Sequence, residues 1–289
     1  MGAHGTYYVP QPSHWPLVGS CGLTTMLVGA ASWLHHDWYG PYIFFLGLFI
    51  IIGMMFGWFG QVIYENSKGV YNEQVDRSFR WGMCWFIFSE VCFFGAFFGA
   101  LFFSRIWALP MLGGEIYPIT HTTLWPEFKA IWPLLLNPNN EIFAGAHAAM
   151  GAWGLAAINT LILLTSGVTV TWAHWALKLN KRTQLLIGMV LTISLGVLFL
   201  CLQAYEYHEA YTELNLTLSS GIYGTTFFML TGFHGLHVTL GTIMLIVIFV
   251  RCKRGHFTPE HHFAFEGVAW YWHFVDVVWL FLFLFVYWL

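Results

Sequence analysis

The amino-acid sequence predicts an all-α integral membrane protein with seven transmembrane helices. Three observations lead to this prediction. Hydrophobic residues make up 58% of the 289 residues and charged residues only 9%, whereas about 25% of an average soluble domain is charged. Charged residues divide the chain into seven long apolar runs, and the basic residues concentrate in every second segment between those runs. The small net charge of −3 argues against nucleic acid as a partner.

Each predicted span is close to the roughly 20 apolar residues that a helix needs to cross a bilayer. The spans are predicted at residues 17–34, 42–64, 81–103, 150–173, 183–205, 222–250 and 267–289. A Pro- and Gly-rich loop is predicted from residue 105 to about residue 149. We expect a single membrane domain over residues 1–289, with helices 1 and 2 at about 15–66 and helices 3 to 7 at about 78–289.

The distribution of basic residues predicts the orientation in the membrane. Nine of the eleven lie on the face that carries the N-terminus, namely Lys68, Arg77, Arg80, Lys178, Lys181, Arg182, Arg251, Lys253 and Arg254. Only Arg105 and Lys129 lie on the other face. Because loops that stay inside are enriched in Lys and Arg, the N-terminus is predicted to lie in the cytoplasm or in the matrix.

One carboxylate interrupts the third span. Residues 81–104 contain a single charged residue, Glu90. A charged side chain near the centre of a bilayer costs at least ~2.5–3.5 kcal/mol. Either a partner offsets this cost or the carboxyl group is protonated. Intramembrane ionisable residues are functional candidates by default, so Glu90 is a candidate for either a functional or a structural role.

Further polar side chains fall within the sixth and seventh spans. His234 and His237 are three residues apart and are predicted to share a helix face, and His273 and Asp276 have the same spacing. Such residues are explained more simply by hydrogen bonds that hold helices in register than by a catalytic or metal-binding role. Two histidines supply two ligands, whereas most metal sites need three or four. We therefore predict an intramembrane polar network, with no metal site and no catalytic residue in this chain.

Four blocks of the sequence resemble subunit III of cytochrome c oxidase, in the haem–copper oxidase family. They lie at residues 80–94 (RWGMCWFIFSEVCFF), 171–177 (TWAHWAL), 203–241 (with QAYEYHEA and GIYGTTFFMLTGFHGLHVTLG) and 261–283 (HHFAFEGVAWYWHFVDVVWLFLF). The resemblance implies that two helices and five helices form a V-shaped cleft filled by phospholipid. It also implies that haem and copper lie in partner subunits, which take electrons from cytochrome c, reduce oxygen and pump protons.

The resemblance implies roles for this chain as well. It would be a non-catalytic subunit that binds lipid, protects the enzyme against turnover inactivation and supports proton uptake by subunit I. Glu90 would be the buried carboxylate that reacts with carbodiimides in the family. The matched positions and the basic membrane face together predict these lipid-binding residues: Trp58, Glu65, Arg80, Arg251 and His256. Tyr64 and Tyr71 depart from the family pattern, in which mitochondrial members carry Arg and His.

The implied partners are oxidase subunits I and II, phospholipid, and cytochrome c indirectly through the complex. The length of the 105–149 loop resembles bacterial members, which favours the bacterial inner membrane over the mitochondrial inner membrane. Three alternatives are a proton-coupled transporter with Glu90 as relay, a haem- or metal-binding enzyme that uses His234 and His237, and subunit III of a quinol oxidase. Quinol-oxidase relatives typically lack the first two helices, so the resemblance favours a cytochrome c oxidase.

Overall fold

The structure, a computed structural model, describes residues 8–289 with the exception of the Thr120 side chain. Within this part of the chain, seven helices are long and apolar enough to cross a membrane, which confirms the predicted number. The α-helices are α1 (Trp15–Leu34), α2 (Gly40–Ser67), α3 (Glu73–Phe103), α4 (Leu109–Leu112), α5 (Pro118–Leu124), α6 (Ala157–Lys178), α7 (Arg182–Thr212), α8 (Ile222–Lys253) and α9 (Phe263–Leu282). The short helices α4 and α5 are not spans by themselves.

The helices extend beyond the predicted apolar runs. The third helix begins at Glu73 rather than at residue 81, because a helix satisfies its own backbone hydrogen bonds and can continue through polar residues at the membrane surface. The predicted start of the long loop at Arg105 is wrong, since a π-helical turn at Ser104–Ala108 joins α3 to α4 and prolongs the helix to Leu112. The fourth long helix starts only after Gly154, whose φ of 141° breaks the helical geometry.

The chain forms two compact units, and the first of them ends at Phe79. It contains the hairpin of α1 and α2, whose backbones touch at glycines. A Cβ atom added to Gly29 would lie 2.2 Å from the Phe44 nitrogen, and one added to Gly47 would lie 2.3 Å from the Met26 nitrogen. Small residues at such contacts let membrane helices approach closely, so these glycines set the α1–α2 packing.

The second unit runs from Arg80 to Leu289, and its core lies among α6, α7, α8 and α9. Trp272 of α9 is fully buried and donates a hydrogen bond from Nε1 to Ser166 Oγ on α6 at 2.8 Å. Its ring fills the space left by Gly196 and Gly241, where an added Cβ would lie 2.8 and 2.9 Å from ring atoms. This tryptophan therefore joins all four helices.

Aromatic contacts pack α3 against α8 and α9. The ring centroids of Phe93 and Phe233 are 5.0 Å apart, and those of Phe94 and Phe274 are 6.1 Å apart. These contacts hold the middle of α3 beside α8, which brings Glu90, one turn earlier on α3, close to α8.

Residues 113–151 pack against the connection between α7 and α8. Asn137 donates from Nδ2 to the carbonyl oxygens of Phe143 and Ser220, and the backbone N–H of His147 donates to the carbonyl oxygen of Leu214. The connection between α4 and α6 is therefore held to the same end of the second unit as the α7–α8 connection.

Candidate functional site: polar ties between membrane helices

The carboxylate of Glu90 has a partner on another helix. His237 Nε2 of α8 lies 2.8 Å from Glu90 Oε2 of α3, and the two side chains are 11% and 20% exposed. The rings of Phe93 and Phe94 lie 5.9 and 5.0 Å from the imidazole, measured between ring centroids. The cost of placing a carboxylate in an apolar span is thus offset by a direct, largely enclosed hydrogen bond.

The second imidazole nitrogen of His237 defines how protons are placed in this pair. Its Nδ1 lies 2.6 Å from the carbonyl oxygen of Phe233, which can only accept, so Nδ1 carries a hydrogen. Two arrangements then satisfy the geometry with zero net charge. In one, an imidazolium donates to the Glu90 carboxylate; in the other, a protonated Glu90 donates to a neutral imidazole. Either arrangement avoids an isolated charge in the membrane.

The other predicted network residues tie further helices together. His234 is fully buried, and its Nε2 lies 3.2 Å from the carbonyl oxygen of Val275 on α9. His273 Nε2 lies 3.1 Å from Thr171 Oγ1 on α6, and its Nδ1 lies 3.5 Å from Asp276 Oδ2. The structure therefore shows separate side-chain hydrogen bonds between pairs of helices, here called ties, rather than one continuous cluster.

His234 and His237 contact different helices although they are three residues apart. His234 lies between the rings of Phe199 and Trp279, at centroid distances of 5.6 and 5.1 Å, and faces α7 and α9. His237 faces Glu90 on α3. Together with the His273 contact, these ties link α3 to α8, α8 to α9 and α9 to α6.

Two of the predicted lipid-binding residues, Trp58 and Glu65, line a cavity of about 320 Å³ in the first unit. Trp15 Nε1 donates to Gln61 Oε1, and Gln61 Nε2 donates to Glu65 Oε1, both at 2.8 Å. Tyr71, outside the spans, donates its hydroxyl hydrogen to Glu65 Oε2 at 2.7 Å. Burial and this hydrogen bond raise the pKa of Tyr71, so its hydroxyl remains a donor. One wall of the cavity is therefore formed by the hydrogen-bonded side chains of Gln61, Glu65 and Tyr71, and another by the ring of Trp58.

The other three predicted lipid-binding residues lie in the second unit. Arg80 forms an ion pair with Glu266 of α9. Arg251 is only 7% exposed, and its guanidinium lies 4.4 Å from the ring centroid of Phe257. The backbone N–H of His256 donates to the carbonyl oxygen of Arg251 at 3.1 Å. Arg251 and His256 thus lie together at the end of α8, whereas Arg80 is engaged at the start of α9.

A third carboxylate within the long helices, besides Glu90 and Asp276, was not predicted from the sequence. Glu206 of α7 is fully buried, and its Oε2 accepts hydrogen bonds from Gln203 Nε2 at 2.9 Å and from the Tyr287 hydroxyl at 3.0 Å. It was missed because Glu206 lies near a helix end, where sequence reasoning expects solvated carboxylates. The available signal was the spacing of three residues between Gln203 and Glu206, which places both on one helix face.

A metal site requires several ligand side chains close together, and the structure describes residues 8–289. In this part of the chain no group of three or more His, Cys, Asp or Glu side chains is arranged to hold a metal ion. His234 and His237 do not form a shared pair of ligands, because their imidazoles contact different helices.

The fold and the ties define a class, the polytopic helical membrane proteins whose ionisable groups at membrane depth join one helix to another. The family model described as "Cytochrome c oxidase subunit III" matches residues 4–137 and 142–289. Cytochrome c oxidase subunit 3 of Equus asinus is 42% identical over 283 residues, which cover 98% of this chain and 96% of the relative. The subunits of Equus caballus and Dugong dugon give the same identity and coverage.

The chain therefore belongs to the cytochrome c oxidase subunit III family, which confirms the resemblance carried by the four sequence blocks. It is a multi-pass membrane protein and a subunit of an oxidoreductase complex that contains other oxidase subunits.

Proposed function

We propose that this chain is a non-catalytic core subunit of a cytochrome c oxidase, docked on subunits I and II, which carry the haem and copper and receive electrons from cytochrome c. The observation that carries this proposal is that ionisable side chains within the spans form hydrogen bonds to neighbouring helices. Glu90 bonds to His237, His234 bonds to the backbone of α9, and His273 bonds to Thr171. Groups engaged between helices in this way favour a scaffold over an acid–base site, which would present them to a substrate.

The proposed roles of the scaffold are protection against turnover inactivation and support of proton uptake by subunit I. The test compares the intact complex with the complex depleted of this subunit. In the depleted complex, we expect the number of turnovers before inactivation to fall much more than the initial rate of oxygen consumption. We also expect the rate of proton uptake to fall. An equal loss of initial rate and lifetime would contradict a protective role.

The proposed lipid site in the first unit is the cavity lined by Trp58 and Glu65. Its volume of about 320 Å³ is at the lower end of the range for small-molecule pockets, about 300–1,000 Å³. The cavity would therefore hold part of a phospholipid. The carboxylate of Glu65 would accept hydrogen bonds from an ammonium headgroup, while Trp58, which is 41% exposed, would contact an acyl chain. A zwitterionic phospholipid with a primary amine fits both walls.

Native mass spectrometry of the intact complex tests this site. Trp58→Ala and Glu65→Gln are expected to reduce the amount of co-purified phospholipid. Phe59→Ala is the matched control, because Phe59 is the next residue on α2, is 61% exposed and does not line the cavity. Lipid retention equal to that of the control in both variants would contradict the proposed site.

The proposed location is the bacterial inner membrane with the N-terminus in the cytoplasm, and the alternative is the mitochondrial inner membrane with the N-terminus in the matrix. The nine-to-two distribution of basic residues supports this orientation. A cysteine introduced at Lys181 should react with a membrane-impermeant thiol reagent from the side of the N-terminus. A cysteine introduced at Lys129 should react from the other side. Labelling of both cysteines from one side would contradict the orientation.

A further inference from the structure

Buried polar atoms on α6 and α7 lack partners in the protein. Asn159 and Glu206 are 0% exposed and Gln203 is 5% exposed. Among the described protein atoms, four of their polar atoms make no hydrogen bond: Asn159 Nδ2, Asn159 Oδ1, Gln203 Oε1 and Glu206 Oε1. Buried polar groups in proteins are almost always hydrogen-bonded, so each of these atoms requires an explanation.

The packing of the helices places Asn159 and Gln203 in the same layer of the bundle, on the faces of α6 and α7 that turn towards α9. Ser166 of α6 and Gly196 of α7 both contact Trp272, the first through a 2.8 Å hydrogen bond and the second through close packing. Asn159 precedes Ser166 by seven residues, and Gln203 follows Gly196 by seven. Because α6 and α7 are antiparallel and seven residues make about two turns, both steps lead to the same layer and keep the same faces.

Contacts of α9 independently locate this layer. Trp279 is seven residues after Trp272, and its Nε1 donates to Thr160 Oγ1, beside Asn159, at 2.9 Å. The ring of Trp279 lies 5.8 Å from that of Tyr287, measured between centroids, and Tyr287 donates to Glu206. Gln203, Glu206 and Tyr287 therefore form one hydrogen-bonded group, and Asn159 lies in the same layer on α6. We name these four residues the polar niche.

We propose that the polar niche is a binding site for one or two water molecules that join α6 to α7. The unpaired atoms comprise one donor, the Asn159 amide nitrogen, and three acceptor oxygens. Water donates two hydrogen bonds and accepts two, so it complements this mixed set, and buried waters typically make about three hydrogen bonds. A metal cation complements the oxygens alone and faces the amide N–H unfavourably.

The bound water extends the existing hydrogen bonds of Glu206 across the bundle. Glu206 Oε2 already connects α7 to the C-terminal segment through Tyr287. Water at Glu206 Oε1 adds Asn159, and with it α6, to the same hydrogen-bonded group. These side chains are buried and reach no polar group outside the bundle, so water is the ligand that can satisfy these atoms without a change of helix packing.

A high-resolution cryo-electron microscopy map of the intact oxidase complex tests the proposal directly. We expect ordered density at about 2.7–3.2 Å from the Asn159 side chain and from Gln203 Oε1 or Glu206 Oε1. Direct hydrogen bonds between the Asn159 amide and these oxygens, with no density between them, would overturn the proposal. So would density with several oxygen contacts at about 2.3–2.6 Å, which indicates a cation.

Variants of the complex supply a second test. Asn159→Leu and Gln203→Leu should each remove the density and lower the melting temperature of the complex. The double variant should lower it by less than the sum of the two shifts, because both side chains bind the same water. Additive shifts would contradict a shared water, and the wild-type map decides the question if the variants do not assemble.

Thr192→Val is the matched control on the same pair of helices. Thr192 is fully buried, and its hydroxyl bonds to Thr169 Oγ1 at 2.7 Å and to the Gly188 carbonyl oxygen at 2.8 Å. This variant should keep the density in the polar niche, and its shift in melting temperature should add to that of Asn159→Leu. Loss of the density in Thr192→Val would contradict a site formed by the niche residues.

Discussion

Two substitutions at Glu90 should have different consequences for the complex. The amide of Glu90→Gln can still donate to His237 Nε2, which lies 2.8 Å from the carboxylate oxygen in the native pair. The native pair is neutral overall, so the amide changes no net charge. Glu90→Leu instead removes the hydrogen bond and leaves the imidazole nitrogen without a partner beside Phe93 and Phe94.

The structure sets the expected magnitudes. Hydrogen bonds between membrane helices average ~0.6 kcal/mol and reach ~1.7 kcal/mol, which corresponds to about a 3-fold to 18-fold change in an equilibrium constant. The pair is mostly enclosed, with 20% of Glu90 and 11% of His237 exposed, so solvent replaces little of the lost bond. Leaving a buried polar group unpaired costs about 1–3 kcal/mol. We expect Glu90→Leu to fall in this range and Glu90→Gln to cost less than ~0.6 kcal/mol.

Thermal unfolding of the purified complex and its rate of oxygen consumption measure these effects. The double variant Glu90→Leu with His237→Phe should be less destabilised than the sum of the single variants, because no unpaired polar group remains. Ser89→Ala is the control, since the Ser89 hydroxyl bonds only within its own helix, to the Phe86 carbonyl oxygen. Equal destabilisation by Gln and Leu would refute the pairing argument. Abolished oxygen reduction in an assembled Glu90→Gln complex would refute the non-catalytic role.

Two further substitutions test the packing of each unit. Gly29→Ala should lower the melting temperature strongly, because its Cβ would lie 2.2 Å from the Phe44 nitrogen, whereas Gly53→Ala enters open space and should be neutral or stabilising. Equal effects of the two would contradict the close α1–α2 contact. Trp272→Phe removes the hydrogen bond to Ser166 and should cost about 0.6–1.7 kcal/mol beyond its loss of ring volume. The thermal shifts of Trp272→Phe and Ser166→Ala should be non-additive, and additive shifts would count against that bond.

The sequence was sufficient to predict the number of membrane helices, because a span requires a long apolar run and these runs are separated by charges. It was insufficient to predict where the helices end. The start of α3 at Glu73 and its continuation past Arg105 depend on backbone hydrogen bonds, which do not require apolar side chains. The late start of α6 depends on the backbone conformation of Gly154, which composition does not specify.

The sequence named ionisable residues within the spans, apart from Glu206, but it did not give the partner of each side chain. Glu90 and His237 were each identified by their depth in an apolar run, yet they are 147 residues apart in the sequence. Helical periodicity fixes the relative direction of side chains on one helix, but it does not state which neighbouring helix each one meets. The same limit explains why His234 and His237, expected on one face, contact α9 and α3 respectively.

The two units hold their helices together by different physical means. Lipid chains are as apolar as leucine, so membrane helices associate through close packing or through polar bonds. In the first unit, Gly29 and Gly47 allow direct backbone contact, and any side chain there separates the helices. In the second unit, Glu90, His234 and His273 each supply a bond between helices, beside an aromatic core that remains when one bond is lost. A single substitution at Gly29 should therefore suffice to disrupt the α1–α2 hairpin, whereas the second unit should stay folded after the loss of any one tie.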